Sequence, residues 1–81
     1  MAQPVLQVTV MSPDRLCFQG QATRVVLPGE QGTFEVLPLH RPLVSRLLGG
    51  TVEIDERTLS IRRGVVRVAE DIVIAVVELA T

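Results

Sequence analysis

Three prolines and two glycines fall within Leu27–Leu43, LPGEQGTFEVLPLHRPL, a stretch that is otherwise largely apolar and β-branched. Its consequence is turns and extended chain rather than helix. Pro38 and Pro42 each fix their own φ and push the residue before them, Leu37 or Arg41, toward extended geometry, which bars Leu39-His40-Arg41 from helix. Gly29 and Gly32 have access to backbone angles that a Cβ resists. Gly29-Glu30-Gln31-Gly32 is therefore predicted to be a tight turn with its polar pair at the tip. Two rigid loops joined by one short strand, Thr33–Leu37, have the character of a presented surface rather than of core.

On either side of this stretch the apolar residues recur with period two, the signature of half-buried strands. Leu6, Val8 and Val10 alternate with Gln7 and Thr9 after a short leader, Met1–Pro4, and Ser12-Pro13-Asp14 turns the chain. Leu16–Gln19 is predicted as a second strand stopped by Gly20, and Ala22–Leu27 as a third ended by Pro28. Leu43–Leu48, caught between Pro42 and Gly49-Gly50, is too short for a stable helix and is assigned to strand. Thr51–Asp55 and Thr58–Arg62 alternate around Asp55-Glu56-Arg57. Gly64 is expected to break the pattern, and Val65–Ala69 and Ile72–Leu79 to pair around Glu70-Asp71. Phe18 and Phe34 are the only aromatics, so the core must be built from Val, Leu and Ile, which suit a pleated surface. The sum is one all-β domain over residues 1–81, an antiparallel sandwich or barrel of about ten short strands.

Little in the chain suggests chemistry of its own. The net charge is −1 with both signs interspersed, so no electrostatic footprint for nucleic acid or an anionic membrane surface is present. Ile72–Val77, the longest apolar run, is far below the ~20 residues a bilayer-spanning helix needs. The single Cys17 has no internal disulfide partner and fits a reducing compartment. It is expected to be a buried, inert thiol in a strand beside Phe18. His40, the only histidine, has no ligand spacing around it and is expected to be a loop histidine hydrogen-bonded to nearby backbone. Gly29-x-x-Gly32 lacks the Gly-Lys-Ser/Thr ending of a phosphate loop and is not followed by a helix. Ile54-Asp55-Glu56-Arg57 and Arg62-Arg63 are expected to be solvated stretches on hairpins. No catalytic, cofactor-binding, nucleotide-binding or metal-binding residue is assigned.

The order of motifs resembles that of a known family, the epsilon subunit of the rotary ATP synthase, over its amino-terminal β-sandwich domain. The resemblance begins at Leu6-x-Val8 and Pro13 and runs through Leu16-x-Phe18-x-Gly20-x-Ala22 and Val25. It continues through Pro28, Gly32, the run Glu35-Val36-Leu37-Pro38-x-His40-x-Pro42-Leu43 and Gly50, with echoes at Ile61, Gly64 and Val68. It implies a flattened two-sheet sandwich and a non-catalytic central-stalk subunit that links the gamma subunit to the c-ring. By the same resemblance Leu39, His40, Arg41, Leu43 and Ser45 would face gamma. Gly29, Glu30, Gln31, Gly32 and Thr33 would meet the polar loops of the c-ring, which carry a conserved arginine in the family.

The family usually continues into a carboxy-terminal helical hairpin that restrains ATP hydrolysis, and this chain ends at Thr81, directly after its last predicted strand. The expectation is a domain without that hairpin, attached peripherally through its complex to the cytoplasmic face of a bacterial inner membrane. Two other readings fit the residues alone. One is a β-sandwich module that binds a peptide or glycan through the proline-rich loops, and the other a small cysteine-dependent enzyme using Cys17 and His40.

Overall fold

Residues 4–80, described in a computed structural model, form eight strands and no helix. Most of the leader expected at Met1–Pro4, together with Thr81, lies outside the described residues. The strands are β1 (Leu6–Ser12), β2 (Arg15–Ala22), β3 (Val25–Gly29), β4 (Gly32–Val36), β5 (Leu43–Leu47), β6 (Gly50–Ile54), β7 (Arg57–Ala69) and β8 (Ile72–Leu79). One hydrogen-bonded path runs β2-β1-β8-β7-β5-β3-β4, while β6 pairs with both β3 and β7. This path folds over on itself into the two layers of a sandwich. Buried side chains from β1, β3, β6, β7 and β8 meet in a single core, and the shortest extent of 19 Å suits two sheets packed about 10 Å apart.

The long strand β7 is what joins the layers. Its first half pairs with β6, from Arg57↔Ile54 to Ile61↔Gly50, and its second half with β5, from Gly64↔Leu47 to Val68↔Leu43. Between the halves the register against β8 shifts at Ile61/Arg63, the mark of a β-bulge. The burial pattern changes phase there: Ile61 points inward before the shift, and Val66 and Val68 after it. One extra residue re-aims every side chain that follows, which is how a single strand serves two layers.

The structure departs from the expected strand plan in definite places. Gly64 does not end the strand, although the alternation changes phase just before it, so there are eight strands rather than about ten. A Cβ there would sit 2.7 Å from the Val76 carbonyl oxygen and 3.0 Å from Val77 Cγ1, so glycine allows β7 and β8 to approach. Gly20 does not stop β2, which continues to Ala22. Pro28 lies inside β3 and uses its carbonyl to accept from Leu48 N–H at 2.8 Å. Finally, β1 and β8 pair in parallel, from Gln7↔Ile72 to Met11↔Val76. Such pairing needs a long crossover between its partners, and here six intervening strands supply it.

The core is built almost wholly from Val, Leu and Ile, as the scarcity of aromatics implies. Leu6, Val8, Val10, Val25, Leu27, Val36, Val52, Ile54, Val66, Val68 and Val73 are all buried, with Phe18 and Phe34 packed against its margin.

Candidate functional site: two turns around one depression

The Glu30-Gln31 turn forms as predicted. Gly29 pairs with Gly32, which leaves Glu30 and Gln31 exposed at the tip. The two glycines serve for different reasons. Gly32 has φ 116°, a conformation that favours glycine, whereas Gly29 is needed for space, because a Cβ would fall 2.7 Å from Phe34 Cε1.

The second loop is tighter than its prolines alone imply. His40 N–H donates to the Leu37 carbonyl at 3.1 Å, closing a β-turn with Pro38 at its second position and Leu39 at its third. Leu39 has φ 71°, the geometry of a type II turn, where glycine or asparagine is the usual occupant. Holding a leucine there costs about 1–2 kcal/mol. The Leu39 N–H points back to the protein and donates to Asp71 Oδ1 at 2.7 Å, a charge-assisted bond. Asp71 lies in the two-residue turn between β7 and β8, where Glu70 and Asp71 both have positive φ, as a type I′ hairpin requires. His40 is tied to its own loop through Nδ1 and the Arg41 carbonyl oxygen, 2.6 Å apart, the local role expected of it.

The structure brings the two predicted contact stretches together. Gly29, Glu30, Gln31, Gly32 and Thr33 line one side of an open depression of about 830 Å³, and His40, Arg41, Leu43 and Ser45 line the other, with Phe34, Pro42, Val44, Arg46 and Val65 completing it. Leu39 is not part of this lining. Leu43 is half-buried and packs on the core, and Ser45 Oγ donates to the Arg46 carbonyl at 2.9 Å. Arg41 is exposed, as is the neighbouring Val44, at 73%. The two sides are coupled through the backbone: Gly29 pairs with Leu47, and Leu48 N–H donates to the Pro28 carbonyl.

Sequence reasoning missed an apolar face beside the depression. Val65 pairs with Val76, and Arg67 with both Ile74 and Val44, so these side chains share the outer face of β5, β7 and β8. Val44, Val65, Ile74 and Val76 are exposed on it. The signal was present in Ile72-Val73-Ile74-Ala75-Val76-Val77, a run apolar on both faces, as a strand covered on both sides would be.

Three other expectations change. Cys17 is half-buried rather than buried, and it lines a separate shallow depression with Leu16, Phe18, Gln19 and Arg57, so it shares no site with His40. Asp55 is not merely a solvated charge. Its carboxylate accepts from Thr23 N–H at 3.0 and 3.1 Å, Thr23 Oγ1 at 2.9 Å and Arg24 N–H at 3.0 Å, stitching the β2–β3 connection to the β6–β7 hairpin. Arg62 and Arg63 both pair with Glu78, at 3.3 and 3.0 Å, while Arg57 lies over the Phe18 ring at 5.7 Å from its centroid.

Residues 5–81 match the family model of the ATP synthase Delta/Epsilon chain β-sandwich domain. Among curated proteins, the ATP synthase epsilon chain of a Nitratiruptor species is 38% identical over 78 residues, covering 90% of this chain and 60% of that protein. The epsilon chain of Bordetella avium is 51% identical over 49 residues, 60% of this chain and 35% of that protein. The chain thus spans at most about 60% of the length of these relatives. Among solved structures, a chain of the Euglena gracilis mitochondrial ATP synthase, OSCP/F1/c-ring, superposes with a TM-score of 0.87 at 19% identity, covering 98% of this chain and 54% of that one. A chain of the Tetrahymena thermophila mitochondrial ATP synthase central stalk and c-ring gives 0.73 at 13% identity, covering 90% and 63%. At such identities these structures speak to the fold, which is the sandwich described above.

Proposed function

The chain belongs to the ATP synthase Delta/Epsilon-chain β-sandwich family, and on that premise we propose that it works as the non-catalytic epsilon element of a rotary ATP synthase central stalk. In this reading it joins the gamma subunit to the c-ring and keeps proton flow coupled to ATP synthesis. It sits peripherally, through the complex, at the cytoplasmic face of a bacterial inner membrane. Leu39, His40, Arg41, Leu43 and Ser45 meet gamma, and Gly29, Glu30, Gln31, Gly32 and Thr33 meet the polar loops of the ring.

The observation that carries the reading is the convergence of both stretches on one depression, connected through paired strands rather than a linker. A part that transmits torque between two partners must not yield between its two contacts. Here a load on the Glu30-Gln31 tip passes into β3 and β4, and from β3 reaches β5 through the Gly29↔Leu47 pair and the Leu48-to-Pro28 hydrogen bond. The two prolines of the second loop limit the entropy lost when it docks. The exposed apolar face of β5, β7 and β8 gives gamma a surface to bury beyond the loop itself.

Calorimetric titration of the purified chain into purified gamma tests the first contact. The proposal predicts saturable heat and comigration on gel filtration at tens of micromolar. No heat and no comigration under those conditions would remove gamma as the partner.

A further inference from the structure

We propose that Asp71 is a positioning residue for the gamma-facing loop, and that it holds Leu39 in a left-handed conformation so that the leucine stands out as an apolar anchor for gamma. The inference rests on the gamma contact proposed above and goes beyond it by assigning the anchor and the group that sets its direction.

Leu39 combines three properties that the isolated domain does not explain. Its φ of 71° is one that a residue with a Cβ resists, it is 85% exposed, and it is apolar. Glycine or asparagine would close the same turn with less strain, and a polar residue would be better solvated. A single exposed leucine is ordinary, but one held out on a strained backbone gains nothing from the fold. The gain must come from something that covers it.

The turn is fixed from two sides. Pro38 presets φ at its second position, and His40 N–H closes it on the Leu37 carbonyl. Asp71 then takes the Leu39 N–H at 2.7 Å across 32 residues of sequence. Asp71 is itself immobilised, because its own carbonyl accepts from Gln7 N–H at 2.8 Å, tying the β7–β8 turn to β1. The carboxylate therefore links the direction of Leu39 to the frame of the sheet rather than to the loop alone.

The experiment combines thermal melts with calorimetric titration against purified gamma for the unaltered chain, Leu39→Gly, Asp71→Gly, Asp71→Asn and the Leu39→Gly/Asp71→Gly pair. Glycine suits the φ of 62° at position 71 while removing the acceptor, and asparagine tolerates that φ and keeps an acceptor oxygen. Leu39→Gly should melt at or above the temperature of the unaltered chain and bind gamma about tenfold or more weakly, as expected for losing a buried leucine. Asp71→Gly should weaken binding severalfold, Asp71→Asn should restore most of it, and the double variant should bind no more weakly than Leu39→Gly alone. Unchanged affinity in Leu39→Gly, or full additivity in the double variant, overturns the inference while leaving the gamma contact intact. Failure of the unaltered chain to bind overturns the gamma contact, and the inference with it.

Discussion

Single atoms decide several positions in this fold, and Gly64 is the plainest case. The atom nearest its missing Cβ is a backbone oxygen, Val76 O at 2.7 Å, which cannot swing aside as the end of a flexible side chain could. Gly64→Ala should therefore cost about 2–3 kcal/mol, read as a lower urea midpoint with unchanged slope. Gly32 presents the opposite problem, since nothing lies within 4 Å of its missing Cβ but its φ is 116°. Gly32→Val should thus distort the Glu30-Gln31 tip rather than clash. Asp55 was the residue least legible in advance. Its donors, Thr23 and Arg24, are 32 and 31 residues away, so no local pattern marks it as more than a charge on a hairpin. Asp55→Ala removes the acceptor for three donors at an exposed site and should lower stability by about 1–2 kcal/mol in denaturant unfolding.

At the scale of elements, β7 carries the architecture through its bulge. Deleting Arg62 removes the extra residue, so that Ile61 and Val66 fall into one plain alternation with both still inward, but the bend by which β7 passes from one layer to the other is lost. Loss of a cooperative melting transition is the expected outcome, and a sharp melt near the parent temperature would show that the bulge is dispensable. The hairpins were legible because their determinants are local. Gly29-Glu30-Gln31-Gly32, Asp55-Glu56 and Glu70-Asp71 each lie between alternating runs, and Leu43–Leu47 is confined by Pro42 and the Gly49-Gly50 pair. The continuity of β7 was not legible, because a glycine that ends a strand and a glycine that lets two strands approach look alike without the partner strand. The parallel β1–β8 pair was hidden for a similar reason, as nothing near Leu6 or Ile72 records which distant strand lies beside it. The two contact loops could be read one at a time, but their convergence depends on the Gly29↔Leu47 pairing and could not.

For the whole molecule, the proposed role is mechanical: a stiff sandwich would hold the two proposed contact stretches at a fixed separation and so couple one partner to another. Under the proposed ring contact, an exposed ion pair between Glu30 and a ring arginine would be worth only about 0.2–1 kcal/mol, so Glu30→Ala should reduce that contact slightly. Glu30→Lys should do more, because in the proposed contact it would oppose the same positive charge on every subunit of the ring. The most direct test is proton pumping per ATP hydrolysed in vesicles containing epsilon-depleted ATP synthase, with the chain or its variants added back. The account predicts that the unaltered chain restores the ratio, that Glu30→Ala comes close, and that Glu30→Lys and Gly32→Val fall clearly below it. Failure of the unaltered chain to raise the ratio, or equal ratios from all three folded variants, would contradict it.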